Sequence, residues 1–189
     1  FLVSVSQSTV DPTFFASIRQ NGTPLVFFDR KPDGIEASSV TVDDEQGAFQ
    51  AVEFAVKKGY QKIAHLAGSF KTNIGRKRAD GYRRALSRYQ IPARPDWLIE
   101  CGFDEISGYH GLKTVMSKEN PPDFLFCVNY PVALGVYQAA EDLGLQIPGE
   151  IDLISFGASP VNRFVKPSMS HITHPAEEIG AAAVSLLPK

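Results

Sequence analysis

Cysteine and net charge are both scarce in this chain, and each scarcity removes a class of protein. The 189 residues hold two cysteines, Cys101 and Cys127, which make neither a CxxC pair nor a disulfide framework. A reducing compartment, the cytoplasm, is the simpler reading. Basic excess is absent as well: 19 basic side chains stand against 21 acidic ones, a formal net charge of -2. A self-sufficient nucleic-acid binder would carry a basic surplus, so any contact with DNA is expected outside these residues. No stretch of about 18 apolar residues and no basic-then-apolar leader occurs, which argues against membrane spanning and secretion for this segment. The chain opens on Phe1 and not on methionine, so a leader or a further domain could have preceded it. Also missing are the phosphate loop GxxxxGK[ST], the dinucleotide fingerprint GxGxxG and the hydrolase elbow GxSxG. There is no internal repeat, low-complexity tract or long linker.

What remains is an ordinary globular composition, 43% hydrophobic, arranged as alternating strand and helix patterns. Strand-like runs fall at Leu2–Ser6, Leu25–Phe28, Val40–Val42, Ile63–Ala67, Phe124–Val128, Asp152–Phe156 and Met169–His174. Between them lie helical patterns with recognisable starts: Asp11 then Pro12, Asp43 and Asp44 ahead of 46–58, and Asp104 ahead of 107–116. Gly59 and Gly144 follow helices, Pro121 and Pro122 separate a helix from the next strand, and a last helix spans 176–187. Such alternation predicts α/β architecture with parallel sheets flanked by crossover helices.

The stretch 59–81, GYQKIAHLAGSFKTNIGRKRADG, is the most informative. Ile63–Ala67 reads as a central strand buried on both faces. A polar loop then leads into a helix reaching about Arg88, whose buried face is Ala79, Tyr82, Ala85 and Leu86. Arg78 falls in the opening turns of that helix, near where open α/β sheets receive ligands, and its fork of donors suits hydroxyl pairs or carboxylates. The alternative is a solvated basic helix, because Arg76, Lys77, Arg83, Arg84 and Arg88 surround it.

Seven motifs occur in order: TPLVFFDR (23–30), VDDEQGA (42–48), GYQKIAHLAG (59–68), RADGYRRAL (78–86), NYPVALG (129–135), IPGEIDLISFG (147–157) and PSMSHITHPAEEIG (167–180). Together they resemble the effector-binding domain of LacI/GalR-type bacterial transcription regulators, over nearly the whole chain. The resemblance implies the two-lobed, type I periplasmic-binding-protein-like fold, with a small molecule in the cleft between α/β lobes. Residues 1–42 plus 173–189 would form the N-terminal lobe and 43–172 the C-terminal lobe. It also implies that the family's helix-turn-helix and the first strands of the N-terminal lobe precede this segment, leaving that lobe incomplete, marginal or leaning on a partner chain. A homodimer, a cytoplasmic location and no catalytic activity follow from the same resemblance. A sugar-binding protein of an ABC transporter, which shares the fold, is the alternative.

Carried over residue by residue, the resemblance marks Asp29, Arg78, Phe103, Asn129, Tyr130, Gly157 and His174 as ligand-binding positions. Asp29 follows a strand and can accept from hydroxyls, or else pair with Arg30. Asn129 can both donate and accept, and can cap the helix after it. Phe103 offers a ring face to a sugar or purine, or is plain core. Two departures matter. Tyr130 and Gly157 stand where the family usually has aspartates, so two carboxylates are gone. The one replaced by Gly157 commonly binds sugar hydroxyls in the family, and Gly157 leaves only backbone groups or space for a larger ligand, while Tyr130 offers a hydroxyl and a ring in exchange, or packs on its own helix. His171 and His174 sit at i, i+3 on a strand and face opposite sides, so they do not suggest a metal site. The acidic trio Asp43, Asp44 and Glu45 is explained by the helix macrodipole alone.

Overall fold

The computed structural model describes residues 1–6, 11, 13–32 and 34–188. Pro12, expected in the first turn of a helix, lies outside the described residues. By internal contacts the chain divides into two units, Phe1–Asp43 with Pro175–Lys189, and Asp44–His174.

The first unit contains a parallel sheet of β1 (Leu2–Val3), β2 (Val26–Phe28) and β3 (Ser38–Val40), in that order, with helices α1 (Thr13–Gln20) and α6 (Ala176–Ser185). Asp11 accepts a hydrogen bond from the Thr13 amide at 2.8 Å at the start of α1. Leu25, Val26 and Phe27 are buried, with Ile179 and Ala183 of α6, whereas α1 has no buried residue. β1 and β3 are both shorter or earlier than the apolar runs 2–6 and 40–42 suggested. An edge strand needs pairing partners as well as apolar residues, and pairing ends at Val3 and Val40.

The second unit is a five-stranded, wholly parallel sheet in the order β5 (Leu98–Glu100), β4 (Ile63–Ala67), β6 (Phe124–Cys127), β7 (Asp152–Phe156), β8 (Ser170–Ile172). Every residue of β4 and β6 is buried, as expected where helices cover both faces. Alternation sorts the side chains. Ala64, Leu66, Leu125, Cys127 and Leu153 join one apolar cluster with residues of α4 (Glu105–Met116) and α5 (Tyr130–Leu143). His65 turns the other way, stacked on Phe126 at 4.2 Å and against Tyr82 of α3 (Asn73–Arg88), which pairs with α2 (Asp44–Lys57).

Glycine sets how closely these helix pairs approach. A side-chain carbon on Gly81 would lie 2.1 Å from the Glu45 carbonyl of α2, and one on Gly135 would lie 1.9 Å from the Glu105 carbonyl of α4. Neither position tolerates a methyl group without moving backbone.

Candidate functional site

In an open parallel sheet the strand ends that feed the helices form the natural ligand edge. In the second unit that edge is made by the segments after β4, β5, β6, β7 and β8; five of the seven sequence-expected residues lie on it, and a sixth, Tyr130, turns away from it. Asp29, the seventh, follows β2 in the first unit. It adopts a left-handed φ of 59°, donates its amide to the Val40 carbonyl at 2.9 Å, and has Arg30 3.6 Å away. The pairing with Arg30 weighed from the sequence is present there.

The loop after β4 is held by its neighbours. Glu100 accepts from the Phe70 amide at 2.8 Å and from Ser69 Oγ at 3.2 Å, while Arg76 Nη1 donates to the carbonyls of Phe70 and Lys71. Thr72 then caps α3, its hydroxyl accepting from the Gly75 amide at 3.1 Å. This fixes the helix that carries Arg78.

Arg78 is buried, and its neighbours define the site. Nε and Nη2 both donate to Asp44 Oδ1, at 2.9 and 2.7 Å, and Nη1 donates to the Val128 carbonyl. The Phe156 ring lies 3.5 Å from the guanidinium carbon. The two side chains of the ion pair are 6% and 2% exposed, so this is an internalised charge pair and not the solvated basic helix. The neighbouring Arg83 and Arg84 do face solvent, pairing with Asp80 and Glu45.

From Val128 the network continues. Asn129 Oδ1 accepts from the Val132 amide at 3.0 Å, capping α5, and Nδ2 donates to the Phe103 carbonyl at 2.8 Å. The cap weighed for Asn129 is present, and the other end of the amide, weighed as a ligand contact, is bonded to the Phe103 carbonyl. Phe103 packs so tightly over the end of β4 that a side-chain carbon on Gly68 would lie 2.2 Å from its ring. Gly157, at φ +75°, donates its amide to the Ile172 carbonyl at 2.8 Å, and its own carbonyl accepts from buried Ser155 Oγ at 2.6 Å. A side-chain carbon there would meet His174 Cβ at 3.6 Å. Arg78, Phe103, Asn129, Gly157 and His174 therefore share one edge. Tyr130 departs from it: its side chain is 7% exposed and belongs to the apolar cluster beneath α4 and α5, with its hydroxyl buried and without a hydrogen-bond partner.

The sequence reading missed Asp44. The macrodipole accounts for acids at the start of α2, but not for one that is 1% exposed. The available signal was a buried-face arginine that needed a counterion. Elsewhere on the sheet His65, wholly buried, has its pKa lowered to about 3, chiefly by desolvation. Its Nδ1 lies 2.8 Å from the Phe126 carbonyl and its Nε2 is unpartnered. Burial also pushes the Cys101 thiol up to about 11 and Cys127 higher still, so neither is a nucleophile at neutral pH. Among the described residues no group of three or more His, Cys, Asp or Glu is placed to hold a metal ion, and no helix is long and apolar enough to cross a membrane.

This parallel two-unit architecture with a polar network at strand ends defines a class, the periplasmic-binding-protein-like domains. Residues 52–189 match the model of the periplasmic binding protein-like domain, and the chain belongs to that family. Its relatives are LacI-family repressors. It is 28% identical over 186 residues to the probable transcriptional repressor ExuR of Bacillus subtilis, covering 98% of this chain and 56% of the relative. It is 30% identical to catabolite control protein A of Priestia megaterium, covering 91% and 52%. Among solved structures, a LacI-family regulatory protein from Chloroflexus aggregans superposes with a TM-score of 0.88 at 25% identity, covering 99% of this chain and 66% of that one. A CelR–cellobiose complex superposes with a TM-score of 0.89 at 23% identity, covering 98% and 57%, and supports the fold alone. The chain spans about half the length of the curated relatives it matches.

Proposed function

We propose that this chain is the ligand-sensing domain of a LacI-type bacterial transcription regulator. In this reading it binds a small effector at its strand ends, a sugar, a sugar derivative or a purine. DNA is contacted through a helix-turn-helix domain outside these residues, in a cytoplasmic homodimer. The observation that carries the reading is the ordered network at the C-terminal edge of the five-stranded sheet, Arg78–Val128–Asn129–Phe103, in a chain whose relatives are repressors. Those relatives favour the regulator over a transporter's binding protein and over an enzyme.

The domain performs no chemistry in this account. An effector acts by binding one arrangement of the regulator better than another, because equal affinity for both would shift nothing. Asp29 and His174 are further candidate contacts; Tyr130, lodged in the core, would serve the site through packing of α5.

A thermal-shift screen of sugars and purines against the protein is the test. A selective ligand should raise the melting temperature, since binding to the native state stabilises it. Silence across the panel, from protein shown to be folded, would overturn the sensor reading. A clean monomer by light scattering would count against the dimer.

A further inference from the structure

The residue that pairs with Arg78 at the candidate edge is one that the family resemblance does not mark as a ligand contact. Asp44 is the first residue of the second unit and of α2. It is 1% exposed, and it places a single carboxylate oxygen against two donors of Arg78, Nε and Nη2. The third guanidinium nitrogen is held by the Val128 carbonyl, and the flat face is covered by Phe156. An arginine in this setting is an anion seat: a planar, always-charged fork, shielded from water, at the ends of parallel strands. Here the seat is filled by the protein's own carboxylate.

We propose that Asp44 sets the charge of the ligand this edge accepts. It acts as an internal anion that neutralises Arg78 and fixes its plane, so that the edge takes uncharged ligands and turns away carboxylates and phosphates. Three of the other candidate groups on this edge carry no charge. Asn129 is uncharged with both amide ends engaged, Phe103 presents a ring, and Gly157 adds no side chain. Glu100, at the end of β5, is bonded to Ser69 and Phe70. Asp44 is thus a specificity-determining residue that works through Arg78. Its removal should turn a compensated cation into an open anion site.

The ligand-charge part of this inference rests on the sensor reading; the occupancy of the seat does not, and the experiment separates them. Asp44→Ala removes the carboxylate and leaves room where it stood. Formate, the smallest carboxylate, should then raise the melting temperature of Asp44→Ala by about 2–4 °C beyond an equal concentration of chloride. Wild type should show no such excess with formate or inorganic phosphate, and Asp44→Ala/Arg78→Gln should lose the response. If Asp44→Ala does not fold unaided, recovery of folded protein during refolding in formate is the readout, with Asp44→Asn as the shape-conserving variant. Formate rescue dependent on Arg78 supports the proposal. An Arg78-dependent response of wild type to formate or phosphate would show an open seat and overturn it, as would absence of any anion effect in both Asp44 variants. None of these arms uses an effector, so a silent effector screen would sink the sensor reading while leaving the charge-setting role of Asp44 standing.

Discussion

The two units of this molecule are built from the same alternation of strands and helices, yet only one encloses a polar interior. All four buried polar or charged residues among those described, Asp44, His65, Arg78 and Ser155, belong to the five-stranded unit. The three-stranded unit has a thin core around Phe27, an α1 without a buried residue, and exposed Phe1 and Phe14. Buried polar groups are tolerated only where surrounding structure satisfies them, and two covered faces provide that setting. A sheet thick enough to hold an ion pair out of water can also position one.

The largest expected effect tests whether the ion pair is a structural member of its unit. Arg78→Gln leaves Asp44 buried without its cation and should cost about 3–5 kcal/mol in chemical denaturation, whereas Asp44→Asn/Arg78→Gln should recover most of that loss. A double-variant cost equal to the sum of the Arg78→Gln and Asp44→Asn costs would show that the pair is not coupled. From the sequence alone Arg78→Ala reads as a clean probe of ligand contact with little loss of fold. The Asp44 contact removes that simplicity, because the substitution breaks a buried pair as well.

Next is helix approach. Gly135→Ala forces a methyl group onto the Glu105 carbonyl and should destabilise the five-stranded unit by about 3 kcal/mol, the upper part of the overpacking range. Urea unfolding followed by circular dichroism measures it, and a neutral result would mean that α4 and α5 slide apart freely.

His65 gives the comparison a pH axis. Its pKa, near 3 in the folded chain against about 6.5 unfolded, means that the unfolded state binds the additional proton between those values. The stabilisation is complete above the unfolded value and is lost as pH falls below it. Stability at pH 5 should therefore be about 2 kcal/mol below that at pH 7 from this residue alone. His65→Phe, which keeps a ring beside Phe126, should remove that increment from the pH profile; an unchanged profile would show that His65 is not the titrating group.

How much of this was legible in the sequence differs by element. Ile63–Ala67 and Asp152–Phe156 were read to the residue, because continuous apolar runs bounded by glycine or proline admit little else in a parallel sheet. β5 was missed: two half-covered residues and an exposed one after the turn Pro95–Trp97 carry no periodicity to detect. At the site, Arg78 and Asn129 were marked as candidate contacts by their place after strands and by the family motifs they match. Asp44 was missed, and the packing of Tyr130 was weighed only as the alternative to a ligand contact, since burial of a single side chain is decided by partners 34 residues away or on the facing helix.

The smallest expected effect returns to the thinner unit. Phe14 is 66% exposed on α1, touching Phe15 ring to ring at 5.8 Å. Replaced by serine, a side chain so placed should change stability by less than about 0.5 kcal/mol. Hydrogen exchange should agree, with α1 amides exchanging well before those of β4 and β6. The two measurements must move together if α1 is truly the outer layer of its unit. A larger cost for Phe14→Ser, with slow exchange along α1, would mean that this apolar face is covered in the whole protein. The contrast between the units would then belong to these residues alone and not to the molecule that carries them.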